Sequence, residues 1–177
     1  MRELVSRPLV PAGRSGYSRH LTLMPELENP FQDTLIQRHR AKPCTLVIFG
    51  ATGGIGTALG RQLAPLGCRL TIAARDQSRL DTLSGELHAE ACSVEATDSE
   101  AVDRCLAEAS ERYGRLDGVV NCVGSLFLKP AHATRDEDWA EVLATNLTSS
   151  FYILRSAARL MMRTGGGSVV LMASAVA

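Results

Sequence analysis

An apolar run, Leu46-Val47-Ile48-Phe49, passes without interruption into Gly50-Ala51-Thr52-Gly53-Gly54-Ile55-Gly56, and an amphipathic segment follows from Thr57 to Leu66. A strand that is apolar at every position has to be covered on both faces, which points to a parallel sheet between helices. A glycine turn directly behind it sends the chain back as a helix. Such a strand, turn and helix seat a dinucleotide pyrophosphate on the helix N-terminus. The first glycine permits the sharp turn, a middle one lets backbone N–H groups reach phosphates, and the last allows close helix packing. A glycine-rich loop without a ligand is the plainer alternative, so the rest of the chain has to decide.

The pattern beyond Thr45 alternates regularly. Short apolar runs at 45–49, 69–74, 90–94, 116–122 and 168–173 predict five strands, and helical periodicity at about 55–66, 77–88, 98–113 and 135–163 predicts four helices. Thr97 with Glu100 and Thr134 with Glu137 have capping-box spacing, and Asp76 is placed to cap the second helix. Gly67 and Gly114 stand where the first and third helices should stop, and Pro65 fits only in a last turn. Strands alternating with helices imply right-handed βαβ units and a Rossmann-type α/β fold, a doubly wound parallel sheet, here incomplete.

Composition narrows the function classes. Net charge is zero, from 19 basic and 19 acidic residues, which argues against a nucleic-acid footprint or a polybasic membrane patch. No apolar run approaches a membrane span, and no basic stretch precedes an apolar signal core. Five widely spaced cysteines, Cys44, Cys68, Cys92, Cys105 and Cys122, read as reduced core residues of an intracellular protein. Neither they nor the four histidines have metal-ligand spacing.

Residues 1–42 differ from the rest. Pro8, Pro11, Pro25 and Pro30 punctuate them and no period persists, so they read as an irregular leader before a domain at 43–177. Arg2, Arg7, Arg14 and Arg19 against Glu3 faintly resemble an organelle transit peptide, although Pro8 and Pro11 spoil an amphipathic helix. A flexible leader, or a start that should have been Met24, is the preferred reading. The expected location is cytoplasmic, with an organelle matrix as the alternative.

From Thr45 onward the sequence resembles the short-chain dehydrogenase/reductase family. The family's T-G-x-x-x-G-x-G turn maps onto Phe49-Gly50-x-x-x-Gly54-x-Gly56, with phenylalanine in the threonine position. Gly50, Gly53 and Gly56 also fit the spacing of the extended branch, which leaves epimerase-like or flavin-reductase-like chemistry as an alternative. Asn121-Cys122-Val123-Gly124 is similar to the family's N-N-A-G signature at the end of the fourth strand. The resemblance assigns Gly50, Thr52, Gly53, Gly54, Ile55, Gly56, Asn121 and Gly124 to cofactor binding. At the end of the second strand an acid would select NAD and an arginine would accommodate a 2′-phosphate. Ala74 occupies the acid's place and Arg75 follows, so NADP is expected ahead of NAD, a solvated surface charge being the plain alternative for Arg75. Glu95 matches the family aspartate that bonds the adenine amino group, or is an ordinary exposed glutamate.

Two further residues carry chemistry by resemblance. Trp139, Val142, Leu143, Leu147, Phe151, Leu154 and Ala158 form an apolar stripe expected to be buried, and Asn146 falls inside it. A buried amide needs a partner, so Asn146 is either a satisfied core residue or the tetrad asparagine that holds a proton-relaying water. Ser174, after the fifth strand, matches the serine that polarises a substrate carbonyl. The resemblance therefore implies hydride transfer between NADP(H) and a small-molecule carbonyl or secondary alcohol, with no nucleic-acid or membrane partner and a homo-oligomer for a full-length form.

The family's proton donor is a tyrosine with a lysine four residues on, the lysine lowering the phenol's pKa. Tyr17, Tyr113 and Tyr152 are followed at that spacing by Leu21, Asp117 and Ser156, and the only lysines are Lys42 and Lys129. The sequence therefore reads as the N-terminal part of such an enzyme, catalytically incomplete as it stands. A non-catalytic dinucleotide-binding or dimerising module is the alternative.

Overall fold

The computed structural model describes residues 43–174; the leader proposed at 1–42 lies outside the described residues. Five strands, β1 (Thr45–Phe49), β2 (Arg69–Ala74), β3 (Glu90–Ser93), β4 (Gly118–Asn121) and β5 (Ser168–Leu171), form one parallel sheet in the order β3-β2-β1-β4-β5. Between them run α1 (Gly54–Leu63), α2 (Gln77–Leu87), α3 (Ser99–Tyr113), α4 (Asp136–Leu143) and α5 (Ser149–Arg163). This is the doubly wound arrangement anticipated from the alternating pattern. The chain moves outward from β1 to β3, then crosses back to β4 on the other side of β1. The carboxyl ends of β1 and β4 thus flank the switch point where open sheets of this kind bind ligands.

Alternating side chains of β1 and β2 feed two separate cores. Val47, Phe49 and Ala73 pack with Val102, Leu106, Ile153 and Ala157 of α3 and α5. Ile48, Leu70, Ile72 and Ala74 pack with Leu80, Leu83 and Leu87 of α2. Both faces of the central strands are buried, as their uninterrupted hydrophobicity requires. Among the described residues no helix is long and apolar enough to cross a membrane.

Helix ends are partly as expected. The Asp76 carboxylate accepts from the Arg79 N–H at 3.1 Å, and Gly67 and Gly114 adopt positive φ of 76° and 74° at the stops. Pro65 lies in a short 3₁₀ turn, Ala64–Leu66, that finishes the first helical segment. Two caps differ from expectation. Asp98, not Thr97, caps α3, its carboxylate accepting from Glu100 and Ala101 N–H groups at 2.9 and 3.1 Å. A carboxylate also answers the positive end of the helix dipole, which a hydroxyl does not. At α4, Thr134 donates to the Pro130 carbonyl, while Asp138 reaches back to the Arg135 N–H at 3.1 Å.

The largest departure lies in the fourth helical region. Between α4 and α5, Ala144–Thr148 form a π-helical turn in which the Ser149 N–H donates to the Ala144 carbonyl. The extra residue rotates the downstream helix face. On that face Phe151, expected in the core, is 54% exposed, whereas Ile153, Ala157 and Met161 are buried; Trp139 ahead of the turn and Leu147 within it, also expected in the core, are 60% and 64% exposed. Leu154 and Ala158 are exposed too, and Val142 and Leu143 are half-buried. The side chains provide a reason for the wide turn: Ser149 donates to the Thr145 carbonyl and Ser150 to the Asn146 carbonyl, at 2.6 and 3.0 Å. Hydroxyls that bond carbonyls four residues back compete with the regular ladder.

Val170 and Leu171 of β5, and Met172 just past it, are exposed, an apolar sheet edge of the kind that recruits other strands. The 177-residue chain expressed alone should aggregate as its concentration rises, and Leu171→Lys should raise the soluble fraction; a wild-type chain that stays monomeric at high concentration would refute this. Thr71 is buried in β2, and its hydroxyl has no partner among the described residues. Thr71→Val, which keeps the shape and removes the orphaned group, should raise the urea unfolding free energy by about 1 kcal/mol.

Candidate dinucleotide site

Each side of the switch point is brought close by glycine. Gly50 leaves β1 with φ +69°, and a Cβ there would lie 2.8–2.9 Å from the backbone of Cys122 and Val123 at the end of β4. Gly56 is equally constrained, since its Cβ would stand 2.4 Å from the Gly50 carbonyl oxygen. The last glycine of the motif therefore packs α1 onto its own turn, rather than onto the body of the strand. By contrast nothing lies within 4 Å of a Cβ built on Gly54, so this part of the turn faces open space. Gly53 is the N-cap of α1 and offers no side chain, and the first turn holds no acid. The N–H groups of Gly54, Ile55 and Gly56 thus lack intrahelical acceptors and side-chain caps, the condition in which a helix N-terminus receives an anion. The turn is tied to the helix by a side chain: the Thr57 hydroxyl donates to the Ala51 carbonyl at 2.9 Å.

A cleft of about 440 Å³ opens over this turn. Its walls are the carboxyl ends of four strands: Phe49–Gly53 with Ala51 behind, Ala73–Asp76, Val94–Ala96 and Cys122–Ser125. Of the residues singled out from sequence, Gly50, Thr52, Gly53, Arg75, Glu95 and Gly124 line it. Gly54, Ile55 and Gly56 form the helix start beside it, and Ile55 is exposed. Burial pushes the Cys122 thiol up, so the sulfur in this wall is protonated at neutral pH.

The charged end of the cleft holds two arginines. Arg75 is mostly exposed and its guanidinium lies 3.5 Å from the Glu95 carboxylate. Arg79, on the first turn of α2, also lines the cleft and donates from its guanidinium to the Thr52 carbonyl. It is a cleft residue that the sequence reading missed. Its spacing, one helical turn beyond Arg75 and just inside the Asp76 cap, was the available signal. The Asp76 carboxylate itself is held below its ordinary range, first by the Arg79 N–H and then by the Ser78 hydroxyl. Its Oδ1 is thereby engaged with the helix start.

Asn121 and Asn146 hold the opposite wall. Asn121 is 2% exposed; its Oδ1 accepts from the Val123 N–H at 2.9 Å and its Nδ2 donates to Ser150 Oγ at 3.0 Å. It fixes the turn after its own strand and ties it to α5, not to the neighbouring strand. Asn146 sits in the π turn and is exposed, contrary to the buried position expected. Its Oδ1 accepts from the Ser125 N–H at 2.9 Å, and its Nδ2 donates to the Val142 carbonyl and to Ser125 Oγ at 3.0 and 3.3 Å. A Cβ on Gly124 would approach that Oδ1 to 3.1 Å. Asn146 is thus placed beside the cleft and shapes its wall through Gly124 and Ser125.

Beyond Ser125, Lys129 is committed to Asp138 at 2.7 Å, and Arg135 bonds the same carboxylate at 3.0 Å. Arg135 first, then Lys129, hold the Asp138 carboxyl well below the usual carboxylate range. Ser174 lies past the end of β5, exposed and outside the cleft lining. Ser168 opens that strand at the opposite end of the sheet, in a different cleft.

Gly50 offers the sharpest test of this geometry. Gly50→Ala should lower the urea unfolding free energy by more than the roughly 1–2 kcal/mol of a left-handed backbone alone, because the β4 backbone must also move. A loss smaller than that would mean the turn stands off β4.

The family profile described as short chain dehydrogenase matches residues 44–177. A putative ketoacyl reductase of the granaticin polyketide synthase from Streptomyces violaceoruber is 40% identical over 65% of this chain and 44% of its own length. The 2,3-dihydro-2,3-dihydroxybenzoate dehydrogenase of Bacillus subtilis is 33% identical over 72% of this chain and 51% of its own. The chain thus spans about half the length of these curated relatives. Among solved structures, a short-chain type dehydrogenase/reductase from Mycobacterium ulcerans superposes with TM-score 0.72 at 28% identity, covering 74% of this chain and 51% of that one. A variant of actinorhodin polyketide ketoreductase, crystallised with NADPH, gives 0.70 at 29% identity over 74% and 53%. With the profile covering the whole described sheet and its glycine turn, the chain belongs to the short-chain dehydrogenase/reductase family.

Proposed function

We propose that these residues form the cofactor-binding part of an NADP(H)-dependent oxidoreductase acting on a small carbonyl compound or secondary alcohol. One observation carries the cofactor preference: Arg75 and Arg79 both line the end of the cleft where β2 stops, and Ala74 stands in place of a ribose-binding acid. The NADPH in the ketoreductase neighbour supports the same choice. In this reading the α1 N-terminus takes the pyrophosphate, while Arg75 and Arg79 take the 2′-phosphate as charge-assisted donors. Glu95 holds Arg75 and faces the adenine. Asn121 and Gly124 keep the β4 turn low enough for the ribose to pass. The bound cofactor supplies or accepts hydride.

For the reacting half, Ser174 is proposed to hold the substrate carbonyl and Asn146 to position a water through its amide. The 177 residues contain no tyrosine followed four places on by lysine, and Lys129 is already paired with Asp138. Taken alone, this chain is therefore expected to bind nucleotide without turning over. The exposed Trp139, Leu147, Phe151 and Leu154 supply an apolar face for self-association.

Calorimetric titration of the dilute chain tests the reading. NADPH should bind more tightly than NADH. Arg75→Ala with Arg79→Ala should weaken NADPH roughly tenfold or more, the usual weight of a lost charged hydrogen bond, and leave NADH nearly unchanged. Tighter binding of NADH by the wild type would overturn the preference; steady NADPH oxidation by the 177 residues with a carbonyl substrate would overturn the expected lack of turnover.

A further inference from the structure

At the amino ends of the strands, opposite the nucleotide cleft, lies a second concavity with a pair of cysteines at its rim. The first rung between β1 and β2 pairs Thr45 with Arg69, which places Cys44 and Cys68 side by side one residue earlier. The Arg69 N–H donates to the Cys44 carbonyl at 2.8 Å, fixing the two backbones together at this point. Neighbouring strands lie about 4.8 Å apart, inside the Cα separation that a disulfide spans. Both side chains face the same apolar cleft, with Leu46, Leu63 and Val170 in its lining, and both are part-exposed free thiols. Burial first, and then the neighbouring Cys44, pushes the Cys68 thiol up to about 12.

We propose that Cys44 and Cys68 form a reversible redox site, closing to a disulfide that clasps the first strand to the second behind the glycine turn. With hydrogen peroxide as the two-electron oxidant, one thiol becomes a sulfenic acid and releases water. The second thiol then displaces the sulfenic oxygen, forming the S–S bond and releasing a second water, so one peroxide is consumed per bridge. A dithiol reductant reverses the step. The ring so closed contains β1, the glycine turn and α1, while the bridge itself lies at the amino end of β1, away from the nucleotide cleft at the carboxyl end. Oxidation should accordingly stabilise this unit against unfolding, by restricting its unfolded state, while leaving nucleotide affinity within about twofold.

The test begins with the reduced chain, treated with a slight excess of hydrogen peroxide, blocked with iodoacetamide and digested with trypsin without reduction. Peptide 41–61 joined to peptide 62–69, lighter by two hydrogens than the sum of the free pair, is expected as the main cross-linked product. The link should vanish on reduction and in Cys44→Ser. The thermal midpoint of the wild type should rise by several degrees on oxidation, and that of Cys44→Ser should not. Recovery of Cys44 and Cys68 only in separate peptides, alkylated or over-oxidised, would overturn the proposal. So would a dominant bridge to Cys92, Cys105 or Cys122. The mass readout needs no cofactor, so it stands or falls independently of the proposed NADP(H) function.

Discussion

The close approach of the Gly50 backbone to Cys122 and Val123 governs the rest of the molecule. A Cβ there would lie within 3 Å of three backbone atoms of the neighbouring strand end, so contact exists only because the side chain is a hydrogen. That contact sets how far apart β1 and β4 finish, and hence the width of the cleft at the switch point. Gly56 repeats the device one level up, bringing α1 down onto the Gly50 carbonyl. The two positions act in series, and a methyl group at either moves the helix N-terminus away from where a phosphate would sit.

Around that contact the cleft walls differ in kind. The side formed by β2 and β3 is charged: Arg75, Arg79 and Glu95 present solvated groups that an incoming anion can recruit, and the Arg75–Glu95 pair is weak because both are exposed. The β4 side is a network of amides and hydroxyls. Asn121 holds the turn and Ser150, Ser150 bonds the Asn146 carbonyl, and Asn146 holds Ser125. This network links the strand end to the π turn. It turns an irregularity of the helix into a support for the wall, in keeping with the frequent occurrence of such bulges at functional sites.

Much of this was legible beforehand, and particular residues show why. The glycine turn, the Asp76 cap and the stops at Gly67 and Gly114 each depend on a few neighbouring residues, so local chemistry suffices to read them. Asp98 displaced Thr97 as a cap by a single position, within the usual uncertainty of helix ends. The stripe through Trp139, Leu147 and Phe151 failed for a different reason. A period of 3.6 residues per turn does not hold across this segment: the extra residue turns Phe151 and Leu154 outward, while Trp139, ahead of it, lies on a helix that buries none of its residues.

The sequence by itself determined the order of strands and helices, the glycine turn and the family to which they belong, because these rest on short-range steric and periodic rules. Tertiary structure alone decided that the Arg79 guanidinium bonds the Thr52 carbonyl, that Asn121 grips Val123 and Ser150, and that Cys44 lies beside Cys68. Each of those facts depends on strand register and on the rotation of a helix about its axis. Such quantities are fixed by packing between segments distant in the chain, where no local pattern records them.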